Sequence, residues 1–455
     1  MHAGRLASSP GVTWTAVAVV VALLSLPFGH ALAFDPSAWV VWGREVWSLD
    51  LDTSAGPSWK PFPLLITAPA AILGDGAATA WLVVARAGAV LAVVGAARLA
   101  ATVGGRAAGV LAATLVVVSP WWLVNGALGN ADPILAALVV WAVLAAARGD
   151  VRSAFVLGTL GALIRPEVWP FLAVWALWQL RRGTLRPGPA VTAGVVVLAV
   201  WVVPDLLASG LDSTRGATGG ASEGSAKNTA VPFLTVWADL GRIGGWVALA
   251  VSIAAVVGAA GLRDRWEGRA PVRDRPGPWG RWRTAAGAAA ASPATWLGLA
   301  LAYTLLVAAM TQWGGFAGNP RYLVPGLGLL AAAAGTVVVL VPGRRGGAGP
   351  AAVAAALAAL AIGLGSSDLR DQGRLIDGRV AVRDGLQRAV DAAGGRERIT
   401  ACGPARSGPD LRTLVAEILD QSVTDAARRP ATGAASVVPG PDAGRWRVTV
   451  PRCGR

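Results

Sequence analysis

Histidine is almost missing from this chain, with His2 and His30 the only two among 455 residues. A Ser-His-Asp or Cys-His centre needs an imidazole beside its nucleophile, so such centres are all but excluded. Cysteine is equally scarce, limited to Cys402 and Cys453. No cluster has metal-ligand spacing, no Walker motif appears, and no GxGxxG follows a strand pattern. The sequence therefore implies no cofactor, leaves a divalent cation open, and removes the simplest support for ATP-driven transport. Charge is the third shortage. Only 15% of residues are Asp, Glu, Lys or Arg, against about a quarter in soluble domains, while 54% are hydrophobic. Lipid is the main solvent of such a chain.

Apolar runs recur from residue 11 to about 365. The first, 11–34, is long enough to cross roughly 30 Å of hydrocarbon as a helix. A cleaved signal peptide is the competing reading, but the run is long, has one nearby basic residue, Arg5, and is followed by many more spans. It reads as retained. The net charge of +14 does not point to nucleic acid, because the arginines sit in short connectors separated by pairs of apolar runs. They are Arg98 with Arg106, Arg148 with Arg152, Arg181 with Arg182 and Arg186, seven between Arg263 and Arg283, and Arg344 with Arg345. The positive-inside rule makes these connectors cytoplasmic. The threading predicts about eleven spans, near 11–34, 77–97, 107–125, 131–147, 153–164, 167–180, 189–205, 244–262, 290–311, 323–342 and 350–365. Residues 153–180 are short for two crossings and read as a shallow or broken hairpin.

The amino terminus, 1–10, then lies inside and the tail, 366–455, outside. The tail predicts a small α/β domain, with helical periodicity in "RVAVRDGLQRAVDAAGG" and "PDLRTLVAEILDQSVTDAARR" and β-like pieces in "ERITACG" and "RWRVTV". Both cysteines fall there, on the side where disulfides persist. A Cys402–Cys453 bridge would close a loop of about fifty residues and stabilise it by about 3–4 kcal/mol; two buried free thiols are the alternative. A basic cytoplasmic loop is expected at 263–286. The Gly/Ser/Thr/Ala-rich stretch within 206–231 reads as a mobile outer loop.

The remaining ionisable residues gather on the outer face. They are Asp35, Arg44, Glu45, Asp50, Asp52 and Lys60 in the first outer loop, 35–63, then Asp132, Arg165, Glu167, Asp205, those of the mobile loop, and Arg321. Charges at a membrane edge are costly and by default face a protein cavity, so the first loop is expected to roof one. Trp39, Trp42 and Trp47 give that loop an apolar stripe on a short interfacial helix, where an aromatic belt explains them more simply than substrate stacking. Asp35, followed by Pro36, is placed to cap this helix, a role compatible with accepting a proton from a bound hydroxyl. Asp132 is likewise placed to cap its span.

The order of these features resembles the GT-C class of membrane glycosyltransferases, which includes protein mannosyltransferases, aminoarabinose transferases and actinobacterial arabinosyl- and mannosyltransferases. The resemblance rests on an acidic residue at the exit of span one, the interfacial helix, "KPFPLLITAPAAILG", the Arg-bearing "WLVVARAGAVLAVVGAARLA", "NADPILAALVVWA", "LIRPEVWPFLAVWAL" and "NPRYLVPGLGLL". It covers roughly residues 11–345 and implies a helical membrane bundle. The implied reaction is inverting transfer of a sugar from a polyprenyl-phosphate donor to a cell-envelope glycan, lipid or protein on the outer face. Asp35 would be the base, Lys60, Arg165 and Arg321 partners of the donor phosphate, Asp132 and Glu45 further acidic candidates, and Glu167, Tyr322, Trp39 and Trp42 supporting residues. Glu167 pairing with Arg165 as structure is the alternative. The chain departs from the class in lacking an adjacent acidic pair in the first loop, since Pro36 follows Asp35 and Glu45 lies ten positions on. A transporter or flippase for a lipid-linked sugar, and a non-catalytic scaffold, are the rival readings.

Overall fold

The computed structural model describes residues 10–210, 224–266, 290–341, 348–427, 435–440 and 445–450. Among these, the helices are α1 (Pro10–Leu24), α2 (Phe34–Ser48), α3 (Pro61–Ala70), α4 (Gly76–Val117), α5 (Pro120–Ala127), α6 (Asp132–Ala147), α7 (Val151–Ala162), α8 (Trp169–Arg181), α9 (Pro187–Ser209), α10 (Pro232–Arg242), α11 (Gly245–Trp266), α12 (Pro293–Trp313), α13 (Val324–Gly335) and α14 (Ala348–Ala392). Three short helices, α15 (Arg396–Thr400), α16 (Arg412–Leu419) and α17 (Val423–Ala427), and one antiparallel pair, β1 (Ser436–Pro439) with β2 (Trp446–Thr449), follow among the described residues of the tail. The calls on Arg5, the body of the 206–231 loop, most of the basic 263–286 connector, Arg344 with Arg345, and Cys453 lie outside the described residues.

Among the described residues, five helices are long and apolar enough to cross a membrane, or up to seven when the bent pairs α5 with α6 (111°) and α10 with the start of α11 (86°) each count as one. That count takes α4 as one helix, although it holds the two spans predicted at 77–97 and 107–125. α4 is a hairpin: Gly105 adopts φ 68°, ψ −160° inside it, and a Cβ added at Gly109 would sit 2.9 Å from the Ala97 carbonyl. Twelve residues of straight helix would separate those two by about 18 Å. Gly105 turns the chain at a backbone conformation that a side chain would strain, where the sequence predicts the connector between Arg98 and Arg106. The first span is shorter than its apolar run, because α1 ends at Leu24 and irregular backbone leads to α2. The segment 153–180 is broken as expected, with α7 and α8 meeting at Arg165–Pro166.

At the centre lies α13, whose every residue is buried. Its "VPGLGLLAAAAG" sequence permits this, since small residues let backbones approach closely: a Cβ at Gly335 would lie 2.4 Å from the Ala108 carbonyl. A second core joins α2, α3, the start of α4, α6 and α7, with Trp39, Trp42 and Trp81 at its middle. That corrects the aromatic-belt expectation: Trp39 and Trp42 are 1% and 0% exposed, and only Trp47 is open, at 62%. Trp39 packs edge-on to Trp81 at 5.3 Å, and Trp42 tilts against Trp59 at 5.7 Å.

The helix α14 runs unbroken across the expected boundary at 365 into the tail. There Leu386, Val390, Ile399, Leu414, Val415 and Val437 form a small core of their own. The piece "ERITACG" builds a helical turn rather than a strand, because only Ile399 of α15 reaches that core. The tail docks on α2 through polar bonds. Ser37 Oγ donates to Glu417 Oε2 at 2.6 Å, Arg44 donates to the carbonyls of Ala416 and Glu417, and Arg44 pairs with Asp420 at 2.7 Å.

Candidate active site

The chain enters α2 from extended backbone at Ala33, and Pro36 sits in the first turn, where its missing N–H costs no bond. Asp35 does not cap the helix, since Ala33 holds that position and no side chain bonds there. Its Oδ2 instead accepts from Lys60 Nζ at 3.2 Å and from Arg321 at 2.8 Å. Both cations are presented next to prolines. Lys60 precedes Pro61 in extended backbone, as a pre-proline residue prefers, while Arg321 follows Pro320 in the 3₁₀ turn that leads into α13. Burial alone would raise the Asp35 pKa, but the charges of Arg321 and Lys60, with their hydrogen bonds, outweigh it and hold it at about 2. Burial lowers the pKa of Lys60, and Asp35 opposes that shift.

A second charged group lies alongside. Arg165, extended ahead of Pro166 at the break between α7 and α8, donates through Nε and a terminal nitrogen to Asp132 Oδ1 at 3.0 and 2.6 Å. Its other terminal nitrogen reaches Glu167 Oε1 at 3.0 Å. All three side chains are buried. Asp132 opens α6 yet caps nothing, because Ala131 is the cap residue. Tyr322 joins the two groups: the Arg165 guanidinium lies 3.9 Å from its ring centroid and that of Arg321 5.6 Å. Three cations thus face three carboxylates, and the cluster is formally neutral.

The structure brings Asp35, Lys60, Asp132, Arg165, Glu167, Arg321 and Tyr322 together. Trp39 lines the same place, with Lys60 Nζ 5.2 Å above its ring. Glu45 and Trp42 stay away from it. Glu45 is ten residues, about 15 Å, along α2 from Asp35 and accepts from the Asp52 N–H at 3.1 Å; burial raises its pKa to about 7. Trp42 donates to the Asp52 carbonyl at 3.0 Å. A paired acidic centre of Asp35 with Glu45 is therefore not formed. Two residues that sequence reasoning missed complete the cluster. Asn130 accepts from Arg321 at 2.8 Å and donates to Asn125 at 2.9 Å; its signal was the "NAD" that already carried Asp132. The Tyr303 hydroxyl is buried without a partner among the described residues, and in the sequence it is one polar group within an apolar run. Among the described residues, no group of three or more His, Cys, Asp or Glu is placed to hold a metal ion.

Solved structures share this arrangement of helices. The chain superimposes on ArnT from Cupriavidus metallidurans bound to undecaprenyl phosphate with a TM-score of 0.56 at 15% identity, covering 99% of this chain and 98% of that one. It matches the same protein in the apo state with a TM-score of 0.56 at 16% identity, covering 94% and 92%. The fold is GT-C-like. No protein family and no curated protein matches the chain. The GT-C-like core, with its long apolar helices and small strand-bearing tail, makes this a multi-pass helical membrane protein.

Proposed function

We propose that the protein is a membrane glycosyltransferase that moves a sugar from a polyprenyl-phosphate donor to an acceptor hydroxyl on the outer face, with inversion. One observation carries the reading: a single buried carboxylate oxygen, that of Asp35, is shared by a buried lysine and a half-buried arginine contributed by distant parts of the chain. A carboxylate with a pKa near 2 is a feeble base, because proton transfer works best when the catalytic pKa lies near the operating pH. A donor phosphate is a better partner for Lys60 and Arg321 than one carboxylate oxygen. Once phosphate takes those cations, Asp35 loses the charges that depress its proton affinity. It then accepts the proton of the acceptor hydroxyl while that oxygen attacks the anomeric carbon. The bond from that carbon to the phosphate oxygen breaks, and the phosphate leaves with its charge held by Lys60 and Arg321. Arg165, already held by two carboxylates, has the weaker claim on phosphate and serves to position the others. The undecaprenyl phosphate in the ArnT structure supports a polyprenyl-phosphate donor by analogy of fold.

The test is turnover by the purified protein with a panel of radiolabelled polyprenyl-phosphate sugars. Asp35→Asn is expected to lower transfer by about 10²-fold or more with carrier-lipid binding retained, and Lys60→Ala to weaken carrier binding. Near wild-type transfer by Asp35→Asn ends the base assignment, and lipid movement without a glycosidic product turns the reading to a transporter. For orientation, positions 54 and 397 are expected to react with an impermeant thiol reagent on intact cells when changed to cysteine. Position 182 is expected to react only after lysis.

A further inference from the structure

Tyr303 sits at the middle of α12, about 15 Å from either end of that helix. It is 7% exposed, and its hydroxyl makes no hydrogen bond among the described residues. Leaving such a group unpaired away from water is costly. Phenylalanine would fill the same space against Phe171, whose ring lies 6.3 Å away, without that cost. The hydroxyl is close to the charged cluster. The helix α12 packs on the 3₁₀ turns that carry Glu167 and Tyr322, and the charges near enough to act on the hydroxyl are those of Glu167, Arg165 and Asp132. Two more groups on this side are unspent. Asp132 gives only Oδ1 to Arg165, and Glu167 only Oε1, so Asp132 Oδ2 and Glu167 Oε2 accept no hydrogen bond among the described residues.

The charge on this side restricts what these three oxygens can bind. One guanidinium against two carboxylates leaves one negative charge, which opposes an anion, so a phosphate falls to Lys60 and Arg321 instead. A ligand that donates O–H to the carboxylate oxygens and bonds the phenol satisfies all three, as the hydroxyls of a sugar do. We infer that Tyr303 is a specificity-determining residue for the donor's sugar: its hydroxyl, with Asp132 Oδ2 and Glu167 Oε2, takes ring hydroxyls away from the anomeric carbon. The inference rests on the proposed transferase reading. The Tyr322 ring links the two halves of the cluster, since the guanidinium groups of Arg165 and Arg321 stand 3.9 and 5.6 Å from its centroid. A sugar joined to a phosphate held at Arg321 therefore lies beside the Arg165 group. Arg321 and Tyr322 are half-buried rather than sealed, which leaves the cluster an open side.

The experiment uses the full-length protein in detergent micelles, with undecaprenyl phosphate and its glucose, mannose and arabinose conjugates as probes, and binding is followed by calorimetry. At least one sugar-loaded carrier is expected to bind more tightly than the bare lipid. Tyr303→Phe removes the hydroxyl and keeps the ring. It is expected to reduce that advantage by about tenfold, the worth of one hydrogen bond, with the bare carrier bound as before. A series of monodeoxy donors tells which hydroxyl is read. One of them is expected to bind the wild type about tenfold more weakly than its parent sugar, and to bind Tyr303→Phe as the parent does. Because the lost hydroxyl has no partner in the protein, Tyr303→Phe is expected to unfold at the wild-type temperature or above. A lower unfolding temperature would give the hydroxyl a structural role and overturn the inference. It is overturned as well if no sugar-loaded carrier binds more tightly than the bare lipid, if Tyr303→Phe keeps the full advantage or weakens both lipids alike, or if no monodeoxy donor shows the coupling. A sugar preference that depends on Tyr303, in a protein that forms no glycosidic product, would end the proposed function and leave the subsite standing. Transfer by Tyr303→Phe with the wild-type donor preference would do the reverse.

Discussion

Replacing Arg165 by methionine separates a structural clamp from a phosphate ligand. The guanidinium makes three charge-assisted bonds to Asp132 and Glu167, at 2.6–3.0 Å, and all three side chains are at most about 5% exposed. Methionine keeps the apolar stem of the side chain but loses the guanidinium over Tyr322 and leaves two buried carboxylates facing each other. Removing one partner of a buried pair costs about 3–5 kcal/mol, and the like charges left behind put this case at the upper end. Adding Asp132→Asn removes one of those charges, so the double variant is expected to be more stable than Arg165→Met alone. The assay is thermal unfolding of the purified proteins in detergent, read by tryptophan fluorescence, with carrier-lipid binding measured on the same preparations. The expected order of unfolding temperature is wild type, double variant, then Arg165→Met. An Arg165→Met protein that unfolds with the wild type but no longer binds carrier lipid would refute the clamp and restore Arg165 as a phosphate ligand.

Acid should erase the stability that Asp35 supplies. Its folded pKa, about 2 against 3.8, lies below the unfolded value, so the contribution of about 2 kcal/mol is complete above pH 4 and lost as pH falls toward 2. The stability gap between wild type and Asp35→Asn is expected to narrow over that interval, and a constant gap would contradict the pairing. Gly43→Ala should push α2 off α3, because its Cβ would lie 2.6 Å from the Thr67 backbone. Overpacking of this kind costs about 1–3 kcal/mol, measurable as a lower unfolding temperature. For the tail, a Cys402–Cys453 bridge predicts no free thiol in the denatured, unreduced protein; a count of two would disprove it.

Much of the site was legible because each charge in an apolar chain is expensive. Asp35, Lys60, Asp132, Arg165, Glu167 and Arg321 stood out against their surroundings, and six of the charges read as converging do converge. Their roles were less legible. Helix-start position made caps of Asp35 and Asp132, whereas the partners that claimed them lie 286 and 33 residues away. Tryptophan periodicity marked one face of α2 but not what covers it: Trp39 and Trp42 look the same in sequence whether lipid headgroups or Trp81 and Trp59 receive them.

By itself the sequence determined that lipid is the main solvent, where most apolar segments lie, and that a polar tail follows them. Those properties depend on summed transfer free energies over local windows. Only the tertiary structure decided that α13 is central, that Glu45 stands apart, and that the tail docks on α2. Each of these depends on which helices become neighbours. An ion pair between residues hundreds of positions apart, or a backbone contact allowed by one glycine, leaves no local pattern to read.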